Sequence, residues 1–208
     1  MKTSLIAAIA AAGMSVRGGD LRLHDPNTVV VYLENGAAQL RDLSLATKLA
    51  ASMFDTAGVR IVWRFGEPSS TELQRDRPIV VRISANTPVS ERPGALAYAF
   101  PYQGVRINIF YDRIVAANPH SSYVILAHVL VHEATHLLEG VSRHSDLGVM
   151  KANWTLKDYD RMLHHPLPFG ADDIDLIHTG LAMRASRLAP YLAEFSTPSR
   201  FTTEEVHK

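Results

Sequence analysis

Thr28, Val29, Val30, Val31, Tyr32 and Leu33 form an unbroken β-branched and apolar run, which predicts a buried strand. The period then changes. Leu40, Leu43, Ala46, Leu49, Ala50, Met53 and Phe54 recur at helical spacing, and Gly58 supplies the stop. Residues 59–64 and 78–84 return to strand composition, with the polar stretch 67–77 between them reading as a loop. Segments 95–100 and 105–111 have the character of an antiparallel pair, joined by a turn across Pro101 and Gly104. Residues 123–138 are apolar nearly all round, the pattern of a buried helix, with Ser121 or Ser122 placed to cap it. Beyond Trp154, Thr155 starts a further helix, which breaks at residues 166–170. A last helix is predicted from Asp172 to Leu188, with Ile174, Ile177, Leu181 and Met183 among its apolar positions. The polar tail after Ser196 reads as frayed.

With 208 residues, 47% of them apolar, the chain can bury one sizeable core, and a single domain over residues 20–208 is expected. Basic and acidic side chains balance at 21 each and no Lys/Arg block occurs, which argues against nucleic acid as a partner. No apolar stretch reaches the ~20 residues of a membrane span, so stable membrane insertion is not expected. The chain has no cysteine, which excludes disulfides and any metal site built on thiolate. Lys2 precedes an apolar run over residues 5–13 with an Ala10-x-Ala12 pattern. Residues 1–12 therefore read as a short secretory signal, implying export to the periplasm or beyond, against the alternatives of an N-terminal helix packed on the core and a cytoplasmic protein.

The chemistry lies in the buried helix, where residues 132–136 read His-Glu-Ala-Thr-His. Histidines four apart sit about one turn, ~5.4 Å, along one helix face, so both imidazoles can reach one metal ion. Glu133 can then hold and deprotonate a metal-bound water, the kit for hydrolysing an amide with zinc. A catalytic zinc takes three protein ligands and keeps a position for water. On an unbroken helix His144 would lie about 12 Å beyond His136. Gly140 is where the helix can stop, because glycine adopts the left-handed conformation at little cost. The chain can then turn back and bring His144 to the metal.

HExxH, a following glycine, a third histidine followed by serine, and a methionine in a short loop together resemble the metzincin clan of zinc peptidases. The resemblance covers residues 124–154. It implies that His132, His136 and His144 bind Zn2+, that Glu133 is the general base, and that Met150 forms the turn beneath the metal. In the common pattern the glycine and third histidine fall three and six residues after the second histidine; here they fall four and eight after it. The implied fold is α+β and zincin-like: a small mixed sheet, its edge strand above a central HExxH helix, and a C-terminal helical lower half. The upper half would span about 27–140 and the lower about 141–195. Segment 95–100 would be the edge strand, adding an extended peptide by main-chain hydrogen bonds, unless it is simply a sheet strand.

Competing assignments stay open at this point. His128 also has i, i+4 spacing to His132 but lacks the following glutamate, and reads better as a core or ligand-supporting histidine. His164, His165, Asp172 and Asp173 are alternative third ligands. Glu139 reads as solvated or supporting, Asp146 as a support for a ligand imidazole or a loop former, and Tyr159 as an oxyanion donor or a packing residue. The expected activity is that of a zinc metalloendopeptidase acting on peptide or protein substrates. The alternatives are a non-catalytic zinc-binding domain, a zinc hydrolase of a non-peptide amide, and a protein whose histidines bind no metal.

Overall fold

A computed structural model describes residues 25–99 and 106–196, with side chains to residue 187. The signal reading of residues 1–12, the turn between Pro101 and Gly104, and the tail beyond Ser196 fall outside the described residues.

The elements in chain order are β1 (Thr28–Asn35), α1 (Leu40–Asp55), β2 (Arg60–Phe65), α2 (Ser70–Arg75), β3 (Ile79–Ser84), β4 (Ala97–Ala99), β5 (Arg106–Phe110), α3 (Tyr111–Ala117), α4 (Ser122–Glu139), α5 (Leu156–His164) and α6 (Ala171–Ser196). The sheet runs β2-β1-β3-β5-β4. Its first four members are parallel, and β4 joins β5 antiparallel at the edge. The apolar run in β1 is explained by its two covered faces. Val29, Val31 and Leu33 enter the main core, while Val30 and Tyr32 pack with Val80 and Leu73 on the opposite side.

Helix α4 passes through the middle of the molecule, and sixteen of its eighteen residues are buried. On one side it packs against α1, where Ala46 and Ala50 are fully buried and allow close approach; on another it meets α6. Gly180 of α6 lies at that crossing, where a Cβ would overlap the Leu138 carbonyl oxygen.

Four details differ from the sequence reading. Stretch 67–77 contains α2, started by a capping box in which the Ser69 hydroxyl accepts from the Glu72 N–H and the Glu72 carboxylate accepts from the Ser69 N–H. Helix α3 follows β5 without a break. Ser121 occupies the N-cap of α4 but its side chain makes no cap bond, and the Ser122 hydroxyl instead donates to Asp42 of α1 at 2.7 Å. In α6, Ile177 and Leu181 are buried as the period requires, whereas Met183 is exposed.

Candidate active site

Helix α4 ends where the glycine suggested. Gly140 is left-handed, with φ of 70°, and its N–H donates to His136 O. The chain then reverses and brings His144 back beside the helix. One nitrogen from each of His132, His136 and His144 lies within 4.8 Å of the others. The ring centroids of His144 stand 5.3 Å from His132 and 4.9 Å from His136.

Hydrogen bonding settles how the two helical imidazoles are protonated. His132 Nδ1 is 2.9 Å from Val149 O, and His136 Nδ1 is 3.3 Å from Val141 O. A carbonyl oxygen can only accept, so both Nδ1 atoms carry the proton. The Nε2 lone pairs are therefore left facing each other at 3.1 Å. Two acceptors at that distance repel unless a cation sits between them. Two nitrogens on one tetrahedral zinc, at ~2.0–2.1 Å each, stand about 3.3 Å apart. The residues present thus fit a zinc ion. Burial pushes both imidazoles down to about 4, with proximity to His144 adding to the shift, so they are neutral donors at pH 7.

Glu133 is buried beside them. Burial pushes its carboxyl up to about 7, against one hydrogen bond from the Ala99 N–H that favours the charged form. That bond fixes the relation between α4 and the sheet edge. Phe110 N–H donates to Leu96 O, so Leu96 and Phe110 form a hydrogen-bonded pair. The alternation of an antiparallel ladder then turns the amides of Ala97 and Ala99 away from β5. Ala99 uses its outward N–H on Glu133, and Ala97 presents its N–H and C=O to the cleft. The cleft has a volume of about 820 Å³, and β4, the three histidines, Glu133, Trp154 and Tyr159 all line it. Arg113 holds the approach to β4, donating to Arg92 O at 2.7 Å and Ala95 O at 2.6 Å.

Met150 is fully buried in the core, beneath a loop closed by Ser145 N–H donating to Met150 O. Trp154 stands edge-on to His132, with centroids 5.7 Å apart, and also touches His128 and Tyr159. His128 is a core residue. Its Nδ1–H donates to Val124 O and its Nε2 accepts from Leu167 N–H, which leaves no nitrogen for a metal. His164, His165 and Asp172 are exposed and do not join the histidine group; Asp146 is exposed on the loop. Asp173 is buried but bonded to Arg143, Ser145 and Gly170. Tyr159 reaches the cleft wall, half-buried, and burial raises its hydroxyl pKa.

Glu139 is not solvated, although its position on the helix suggested that it could be. It is 4% exposed, and among the described residues neither carboxylate oxygen has a hydrogen-bond partner. Burial, with Asp173 nearby, pushes its pKa up to about 7, against the opposing pull of Arg143. A carboxyl that holds its proton more tightly when folded contributes stability that is complete below the unfolded pKa of 4.5 and is lost as pH rises through about 7. The loss is on the order of 3 kcal/mol. Glu139→Gln should remove that slope and leave the chain more stable than wild type at pH 8. Melting curves of both proteins from pH 4.5 to 8.5 check this, and parallel curves would refute it.

The chain matches no protein-family model and no curated protein sequence. Among solved structures it is similar to the archaemetzincin of Methanopyrus kandleri, at 15% identity over 75% of this chain and 97% of that one, with a TM-score of 0.54. The archaemetzincin of Archaeoglobus fulgidus in complex with malonate (15% identity, 72% of this chain and all of that one, TM-score 0.49) and myroilysin (16%, 72% and 71%, TM-score 0.33) are further matches. This chain, with its small mixed sheet and long central helix, thus shares its fold with the archaemetzincin of Methanopyrus kandleri.

Proposed function

We propose that the chain is a zinc-dependent peptidase. The observation that carries the reading is the histidine group itself: three neutral donors converge at a cleft that also holds a buried glutamate and the edge strand β4 of the sheet. His132, His136 and His144 would hold the ion. When bound, zinc supplies Lewis acidity that polarises a carbonyl and makes water acidic near neutral pH.

The rest is done by the chain. Glu133 accepts the proton of the attacking water and passes it to the departing amine nitrogen, a task suited to a carboxyl whose pKa lies near the working pH. Ala97 binds an extended peptide through main-chain hydrogen bonds, continuing the sheet into the cleft. Trp154 covers one side of His132 and limits water there. A purely structural zinc would take four protein donors; among the described residues the group offers three. The edge strand supports a peptide over a compact non-peptide amide. The apolar N-terminal run supports export.

Elemental analysis of protein purified without added metal is expected to give about one zinc per chain. Cleavage of a peptide library should be abolished by a chelator and restored by zinc. A content near zero that zinc titration cannot raise would overturn the reading.

A further inference from the structure

The helical ligands and His144 are held differently. His132 and His136 are fixed by α4 and by the carbonyls that take their Nδ1 protons. His144 is exposed, and its imidazole makes no hydrogen bond among the described residues. It also rides on a segment two residues longer than the common pattern. Its place must be set by the backbone on either side of it.

Both flanking residues bond to one buried carboxylate. Asp173, at the start of α6, is 1% exposed. Its Oδ1 accepts from Arg143 Nη2 at 2.7 Å and from Ser145 Oγ at 2.5 Å. Its Oδ2 accepts from Gly170 N–H at 2.8 Å, which anchors the carboxylate to the first turn of α6. Arg143 precedes His144 and Ser145 follows it. A buried carboxylate paired with a guanidinium and two neutral donors is a directional, charge-assisted fixture. The loop needs one, because each residue left mobile loses ordering free energy when a ligand fixes it.

We infer that Asp173 is the positioning residue of the third metal ligand: it clamps the chain on both sides of His144 and joins the lower helix to the metal centre. The inference rests on the zinc reading above.

The test uses the full chain. Zinc affinity is measured by competition with a chromophoric chelator, and the visible spectrum is recorded after cobalt substitution. Asp173→Asn should weaken zinc binding by about 10–100-fold, the range for residues that support a metal ligand. It should also alter the cobalt bands, which report ligand geometry, while the metal-free circular dichroism stays that of wild type. In a His144→Ala background the same substitution should cause no further loss, because the residue it positions is gone. Ser145→Ala removes one arm without disturbing the start of α6 and should weaken binding a few-fold. It carries the test if Asp173→Asn does not fold. Wild-type affinity and spectra in both variants overturn the clamp alone, as does an undiminished effect of Asp173→Asn without His144. A wild-type chain that takes up no zinc overturns the peptidase reading and the clamp with it.

Discussion

Glu133→Gln is expected to keep the metal content of the wild-type chain and to lose about 10²–10⁴ in kcat, the usual contribution of a positioned general base. The side chain is buried in the cleft with the histidine group and takes a hydrogen bond from the Ala99 N–H. An amide of the same shape fills the same space and removes only the ability to take a proton. Because the ligands are untouched, zinc content by elemental analysis should stay near one per chain. KM for a cleaved peptide should move little, since the base contributes to the transition state more than to binding. Turnover within tenfold of wild type, with zinc retained, would remove Glu133 from the role. Loss of zinc in the variant would make it a metal-site residue instead.

Gly180→Ala is expected to destabilise the chain at the crossing of α6 and α4. In isolation the change favours a helix by about 1 kcal/mol. Here the added Cβ would overlap the Leu138 carbonyl oxygen of α4. That oxygen belongs to backbone, so no side chain can swing aside and the two helices must separate. Overpacking of this kind costs about 1–3 kcal/mol, occasionally more. The net loss should be about 1 kcal/mol, which lowers Tm by about 2–4 °C in a chain of this length. Leu138 lies between His136 and the turn at Gly140, so the displacement should also weaken zinc binding. Denaturant unfolding and zinc competition on the same protein check both effects. A variant at least as stable as wild type would mean that the crossing is looser than described.

What could be read from the sequence, and what could not, divides by the distance over which each feature is determined. The strand β1 was legible as an unbroken apolar run, and helix α1 through its one dominant period. The convergence of the three histidines was legible too: His132 and His136 share a helix face, and Gly140 is the residue that lets His144 return. Helix α2 was taken for loop because its residues are polar, although Ser69 and Glu72 spell out its start. No breaker separates β5 from α3, and two buried residues, Tyr111 and Ile114, are too few to show a change of period. Ser122 looked like a cap, but its hydroxyl goes to Asp42, eighty residues earlier. Burial of Glu139, the hold of Arg113 on the approach to β4, and the bonds of Asp173 all depend on segments that meet only in the folded chain.

The donor group itself has the opposite character. All three histidines fall between residues 132 and 144, whereas the parallel strands pair segments far apart along the chain. Closing an eight-residue loop between His136 and His144 costs little chain entropy. On the zinc reading proposed above, a denatured chain would therefore retain a serviceable chelate, and zinc would have affinity for both ends of the folding equilibrium. The metal can stabilise the native state only by the ratio of those two affinities, however tightly the native site binds. What the fold adds is orientation: the Val149 and Val141 carbonyls fix two rings that the denatured chain leaves free to turn. Tight zinc binding with only a modest rise in melting temperature is the signature such a local arrangement would leave.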